Sequence, residues 1–196
     1  MRILNIPEAL ETEFSGVLAV WKSEAETRRV DALVLSWVKY EKQLRRLFSF
    51  FIFQHPNITA DKLDEVITAF ADNRNLYPET FISGIKALGV TPIDTLLGPA
   101  YTTLWPEIER IKKYRNKIMH GQLTGEGITS AQLERDVILL ITWISAVAKA
   151  ADAEFGYDGL RRKTYIAAKS SGKIAVQNYP FTTVTDLNTW LSKLKA

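Results

Sequence analysis

Three side chains that together suit phosphodiester chemistry without a metal occur within six positions, at Arg115, Asn116 and His120. An arginine binds phosphate oxygens through several N–H donors. A histidine moves protons near neutral pH, which general acid–base catalysis requires. The chain has only two histidines. Because one of them lies here, this stretch is a candidate site for acid–base chemistry.

The spacing of these residues divides them between two faces of a helix. Asn116 and His120 are four positions apart and share one face, so the amide can orient the imidazole. Arg115 and His120 are five apart and diverge on an ideal helix. They converge only if the helix loosens before Gly121, or if a second subunit completes the site.

Two charged residues interrupt apolar stripes on separate predicted helices. Glu41 interrupts one stripe and Arg115 the other, and an isolated buried ion is costly unless it is paired or lines a wet cleft. The pattern therefore predicts either an internal Glu41–Arg115 salt bridge or a polar pocket that both residues face. The other members of the stripes are Val30, Val34, Trp37, Leu44, Phe48 and Phe51 on the first helix, and Leu104, Ile108, Ile111 and Ile118 on the second.

Most of the chain has the periodicity of amphipathic helices. The breaks at proline and glycine bound these helices, and Gly121–Gly127 is predicted to be a loop. Ile174–Val184 has a β-like composition. We therefore predict an all-α protein, an antiparallel helical bundle over 1–156, with a small basic addition over 157–196. The predicted helices cover 8–22, 25–54, 60–71, 78–88, 101–120, 130–155 and 186–195, with a short turn opened by Thr91–Asp94.

The composition of the chain excludes several kinds of functional site. The chain has 196 residues and no cysteine, so it has no disulfide, thiolate metal site or cysteine nucleophile. Two histidines without cysteine do not make a zinc site, and no metal or cofactor is expected. His55 is interpreted as a helix-end residue, with a place in a pocket as the alternative. Since no signal peptide or membrane span is evident, a cytoplasmic location is expected.

Positive charge is concentrated towards the C-terminal end. Residues 157–196 contain seven Lys or Arg against two Asp or Glu, a net charge of +5, whereas the whole chain carries +3. A basic segment of this kind suits nucleic acid, and a solvated surface is the alternative. Arg161 and Arg162, close to Tyr165, could grip single-stranded RNA.

These residues resemble the HEPN family, the helical nucleases and nucleotide-binding modules of higher eukaryotes and prokaryotes. The family motif is an Arg, a polar residue and, after a few positions, a His, which the stretch from Arg115 to Gly121 matches position by position. A Glu-x-x-x-(Lys/Arg)-Arg run on an earlier helix is matched by Glu41, Arg45 and Arg46. The resemblance spans roughly 8–155 and does not cover the basic segment.

The resemblance implies a metal-independent endoribonuclease that acts as a homodimer in stress response, a toxin–antitoxin pair or phage defence. His120 would act as base or acid, Arg115 would steady the phosphate and Asn116 would position the imidazole. An antitoxin or regulatory protein would be a further partner, although Gln122 replaces the tyrosine that accompanies one type of antitoxin pairing. The supporting, RNA-binding residues would be Glu41, Arg45, Arg46, Lys112, Lys117, Arg161 and Arg162.

A non-catalytic helical module is the alternative function. Such a module would bind nucleotide, RNA or another protein. Glu41 and Arg115 would then form a purely structural pair.

Overall fold

The computed structural model describes residues 4–73, 76–120 and 127–195, and these residues contain helices but no strand. The predicted all-α helical bundle is therefore confirmed. Short 3-10 turns cover Glu8–Leu10 and Ala60–Lys62. The helices are α1 (Glu11–Lys22), α2 (Arg28–Phe53), α3 (Leu63–Asp72), α4 (Pro78–Ala87), α5 (Ile93–Leu97), α6 (Pro99–Met119), α7 (Ser130–Phe155), α8 (Thr164–Ser170) and α9 (Val184–Lys193).

Local chemistry explains where several helices begin. Pro78 and Pro99 occupy the first turns of α4 and α6, where a missing N–H costs nothing because that donor has no partner within the helix. Gly98 precedes α6 with a φ of 52°, a backbone conformation that favours glycine. Thr183 and Asp186 form a capping box at the start of α9, which satisfies two otherwise unpaired N–H groups.

The β-like composition of Ile174–Val184 does not lead to a strand. This stretch is irregular up to the first turn of α9, because no other strand of the described chain is available to pair with it. One of its aromatic side chains instead contacts α2: the hydroxyl of Tyr179 donates to the carbonyl of Phe51 at 2.9 Å. The short helix α8, with Ala167 and Ala168 buried, was not predicted.

The described chain forms two compact units, each built from two separate stretches. The first contains 4–40 and 97–147, and the second contains 41–96 and 148–195. The predicted domain boundary at residue 156 stays a prediction; the basic segment from residue 157 onwards lies in the second unit.

The core of the first unit is rich in tryptophan. Trp37 packs edge-on against Tyr40 at a centroid distance of 5.0 Å, and Tyr40 contacts Trp143 at 6.4 Å. Arg29 lies 3.9 Å from the centroid of the Trp21 ring and forms a 2.8 Å ion pair with Glu134. These contacts join α1, the first part of α2 and the first part of α7 around one core.

The core of the second unit is built around Phe48. Its ring lies within 6 Å, centroid to centroid, of three aromatic rings from three other helices, those of Phe70, Phe81 and Trp190. Gly84 is required beside it, because a Cβ at this position would lie 2.6 Å from the Phe48 ring. This aromatic cluster holds α2, α3, α4 and α9 together.

Candidate functional site

The predicted motif occupies the last two turns of α6 and the residue that follows. The helix stays regular to Met119, and the backbone N–H of His120 donates to the carbonyl of Asn116 at 3.1 Å. The helix therefore does not loosen before His120, which was one of the two ways to bring Arg115 and His120 together. Gly121 and Gln122 lie outside the described residues, as does the predicted loop except for Gly127.

Arg115 and Asn116 form a direct pair at this end of α6. The Nη1 of Arg115 donates to the Oδ1 of Asn116 at 3.0 Å. The guanidinium carbon of Arg115 also lies 5.4 Å from the centroid of the Trp37 ring, within the range of a cation–π contact. Because Trp37 is buried and Arg115 half-buried, the arginine is anchored on one side and accessible on the other.

His120 differs from this pair in its surroundings. It is the residue that ends α6, with φ −95° and ψ 9°, and it is exposed. It shares a helix face with Asn116, which lies one turn earlier. Lys117 and Met119 beside it are also exposed, so the end of α6 presents an imidazole, a cation and an apolar side chain to solvent.

A charged network that the sequence analysis missed holds α6 against α7. Asp136 is fully buried and accepts hydrogen bonds from Arg110 at 2.5 Å, from Gln132 at 2.8 Å and from the hydroxyl of Tyr114. Arg110 also donates to Glu107 at 2.8 Å. A buried carboxylate with three donors is well compensated, so this network fixes the helix that carries the motif.

Two pKa values within the network reflect this arrangement. Burial raises the pKa of the Tyr114 hydroxyl, and its hydrogen bond to Asp136 and the charge of Asp136 raise it further. Burial lowers the pKa of Arg110, but its hydrogen bonds to Asp136 and Glu107 outweigh this and the net pKa is raised. Tyr114 therefore stays a neutral donor and Arg110 a permanent cation.

A charged residue that interrupts an apolar stripe identified Glu41 and Arg115, and the same pattern could have identified Asp136. Asp136 lies between Leu133 and Leu140 on an apolar stripe of α7, and it is a charged residue in a buried position. The pairing partner could not be read from the sequence, because Arg110 and Asp136 are 26 positions apart.

A cavity of about 330 Å³ lies beside this network, lined by Arg110, Tyr114 and Gln132 together with 127–129. Its cation is already neutralised, because Arg110 binds both Asp136 and Glu107. The cavity is therefore a weaker site for a phosphate than the end of α6.

Other predicted site residues lie in the second unit, where several have structural contacts. Arg46 donates to Thr164 at 3.2 Å and to the carbonyls of Leu160 and Arg162. Arg162 donates to the carbonyl of Gly156. These two arginines therefore tie down the loop between α7 and α8.

Arg161 is engaged in the same loop. It binds Asp158, whose carboxylate also accepts from the backbone N–H of Leu160 at 2.9 Å. Burial raises the pKa of the Asp158 carboxyl, but the hydrogen bonds from Arg161 and Leu160 outweigh this and lower it. Arg161 therefore balances a buried carboxylate.

The predicted site residues are thus divided between the units. The first unit contains Arg115, Asn116 and His120 with Lys112 and Lys117, all on or next to α6. The second contains Glu41, Arg45, Arg46, Arg161 and Arg162. The predicted Glu41–Arg115 ion pair stays a prediction.

His55 has a structural environment at the end of α2. It is 5% exposed, its Nδ1 accepts from the backbone N–H of Asn57 at 3.1 Å, and its Nε2 lies 3.1 Å from the carbonyl of Phe181. Nε2 therefore carries the proton and donates to Phe181. Burial lowers the pKa of His55; the hydrogen bond to Phe181 opposes this, and the charge of Lys169 adds to it.

Among 4–73, 76–120 and 127–195, no three or more His, Cys, Asp or Glu side chains are grouped so that they could hold a metal ion. In the same residues, no helix combines the length and the apolar character needed to cross a bilayer.

Comparison of the chain with known protein families, with curated proteins and with solved structures gives no match.

Proposed function

We propose that this protein is a metal-independent endoribonuclease whose site is built on the end of α6. The observation that carries the proposal is the arrangement of the motif there. A guanidinium anchored by Trp37 is hydrogen-bonded to Asn116, and an exposed His120 follows one turn later. Asn116 contacts the cation and shares a helix face with the imidazole, so the amide lies between them.

The reaction would use the 2′-hydroxyl of RNA as its nucleophile. A base takes the 2′-hydroxyl proton, the oxygen attacks phosphorus, and the bond to the 5′-oxygen breaks as an acid protonates that oxygen. The products are a 2′,3′-cyclic phosphate and a 5′-hydroxyl. In this scheme Arg115 stabilises the charge that develops on the phosphorane, Asn116 orients the imidazole, and Lys112 and Lys117 contact the RNA backbone.

We further propose that the active form is a homodimer. The chemistry uses both an acid and a base, and the motif of one chain supplies a single histidine. Because α6 stays helical to Met119, Arg115 and His120 of one chain diverge by about 140° around the helix axis. A two-fold interface supplies two copies of His120 and two of Arg115 to a shared cleft.

We also propose that a partner protein controls this activity in the cell. RNA as substrate fits a cytoplasmic location, and a nuclease without restraint harms its own cell. An antitoxin or regulatory protein that covers the end of α6 would hold it inactive until stress or infection. Expression of the wild type should arrest growth, and expression of His120→Asn should not.

Cleavage of an end-labelled RNA by purified protein in the presence of EDTA tests the catalytic claim. The wild type should yield 2′,3′-cyclic phosphate ends, and His120→Asn should lose at least about 100-fold in rate. Lys113→Gln is the matched control, because Lys113 is exposed on α6 and lies outside the motif. Equal cleavage by the wild type and His120→Asn would refute the claim.

Mixing of subunits tests the dimer. When wild type and His120→Asn are mixed in equal amounts and allowed to exchange, about a quarter of the dimers carry two intact motifs. At the same total protein concentration, activity should therefore fall to about a quarter of that of the wild type alone. A fall to half would show that each chain acts by itself.

A non-catalytic binding module is the second candidate, and one observation favours it. Arg115 packs on the buried Trp37 ring, so the arginine can serve the fold instead of a substrate. In that case Arg115→Ala lowers stability, whereas His120→Asn changes neither stability nor any RNA cleavage.

A further inference from the structure

A cavity of about 770 Å³ lies within the second unit, and the proposed ribonuclease mechanism does not use it. Its size falls within the range typical of small-molecule sites. One face of α2 contributes Arg45, Ser49 and Phe53 at four-residue steps, and one face of α3 contributes Leu63, Ile67 and Phe70. The start of α8 borders it with Lys163 to Ile166.

The aromatic walls of this cavity are held in place from behind. Phe70 and Phe81 pack against the fully buried Phe48, at centroid distances of 5.8 and 5.7 Å. Phe53 packs edge-on against Tyr165 at 5.5 Å. Because these rings are fixed by the core, the cavity is formed before any ligand enters, which lowers the entropic cost of binding.

Two isoleucines of the lining are unusually exposed. Ile67 is 53% exposed and Ile166 59% exposed, although both are large apolar side chains beside an apolar cavity. Exposure of apolar surface to water is unfavourable in proportion to the exposed area. An apolar ligand body that covered these two side chains would regain part of this energy.

The charged residues of the lining are both cationic. Arg45 and Lys163 are exposed residues that border the cavity, and none of the described residues lining it is Asp or Glu. Ser49 and Thr164 add hydroxyl groups. An apolar cavity bordered by two cations complements a molecule that is apolar along its body and anionic at one end.

We propose that this cavity binds a small amphipathic anion, an aliphatic chain with a single carboxylate or phosphate headgroup. The chain contacts Phe53, Phe70 and Ile67, and the headgroup is bound by Arg45 and Lys163. Arg45 and Lys163 lie in segments that the sequence analysis connected with RNA. A nucleic acid fits the lining less well, because most of it is apolar and offers few groups to read a base edge.

Calorimetric titration of the full chain with decanoate, decyl phosphate and 1-decanol tests the proposal. Each compound is kept below the concentration at which it aggregates. Decanoate or decyl phosphate should bind saturably with one molecule per chain, and added salt should weaken that binding. The uncharged decanol should bind more weakly, and the comparison of the two anions tells which headgroup is preferred.

Substitutions in the cavity separate charge from shape. The double variant Arg45→Gln/Lys163→Gln should weaken binding of the anions about tenfold and leave decanol unchanged. Ala71→Trp, which fills part of the cavity, should weaken all three compounds. Lys86→Gln is the matched control, since Lys86 is an exposed cation of the same unit that does not line the cavity.

Two results would overturn the proposal. One is the absence of saturable binding of either anion to the wild type. The other is equal binding of the anions by the wild type and the double variant, with no dependence on salt. Neither result bears on RNA cleavage, which is measured separately.

Discussion

The guanidinium of Arg115 donates a hydrogen bond to the side-chain oxygen of Asn116, its neighbour on α6, at 3.0 Å. This contact sets the orientation of the amide, because the oxygen faces the arginine and the NH₂ group faces away from it. Asn116 shares a helix face with His120. The amide of Asn116 can therefore connect the anchored guanidinium to the exposed imidazole. Arg115 and His120 themselves lie on different faces of the helix.

Substitutions of Arg115 and His120 should have different effects on stability. Arg115→Ala should lower the free energy of unfolding by about 1–3 kcal/mol, because the contact with Trp37 and the hydrogen bond to Asn116 are both lost. His120→Asn should leave stability within about 0.5 kcal/mol of the wild type, since His120 is exposed. Chemical denaturation measures both values. A strong destabilisation by His120→Asn would contradict the exposed position of the imidazole.

Loss of the buried carboxylate of α7 should destabilise the first unit. Asp136→Ala should cost about 2–4 kcal/mol, because Tyr114 and Arg110 lose their shared acceptor. Tyr114→Phe should cost about 1 kcal/mol, since Arg110 and Gln132 still satisfy Asp136. Glu107→Gln is the control and should change little, because the Glu107–Arg110 pair is partly exposed and such pairs contribute little to stability. Equal effects of the three substitutions in thermal melts would rule out the network as the cause.

The buried histidine should make stability depend on pH. Because the pKa of His55 is lowered from its ordinary value of 6.5 in the fold, the unfolded chain binds more protons just below pH 6.5. Its contribution to stability is complete above pH 6.5 and is lost as the pH falls through the folded pKa. The unfolding free energy of the wild type should therefore drop between pH 7 and pH 5.5.

His55→Gln is the control for that measurement. It should be less stable at pH 7, because contacts with Asn57 and Phe181 are altered, but its stability should change less over the same pH range. A parallel fall in both proteins would assign the pH dependence to other groups.

Two glycines in the loop after α7 provide a matched pair of substitutions. Gly156 and Gly159 have φ values of 72° and 77°. An added Cβ at Gly156 meets no described atom within 4 Å, whereas at Gly159 it would lie 2.9 Å from Leu47 and 3.0 Å from the carbonyl oxygen of Gln43. Gly156→Ala should cost about 1 kcal/mol through backbone strain alone, and Gly159→Ala about 3 kcal/mol. Thermal melts that rank the two in the opposite order would contradict this packing.

The elements that depend on neighbours in sequence were predictable, and those that depend on distant contacts were not. α6 and α7 follow from apolar spacing and from breaks such as Gly98-Pro99, which act locally. The composition of Ile174–Val184 favoured a strand, but a strand needs a partner and the described chain has none. The motif of Arg115 to His120 could be located by spacing, whereas its anchor, Trp37, lies 78 positions away.

The same limit applies to the cavity. Arg45 and Lys163 both border it, yet they are separated by more than a hundred positions in the sequence. These two cations border the same apolar cavity only because α2, α3 and α8 pack together.

The interleaving of the two units has a consequence for synthesis of the chain on the ribosome. The stretch 4–40 must wait for 97–147 before its unit is complete, and 41–96 must wait for 148–195. The first unit lacks residues until 147 has been made and the second until close to the end of the chain, so nascent chains expose apolar helix faces for most of translation. The unit that contains Arg115, Asn116 and His120 therefore has all of its residues before the other unit does.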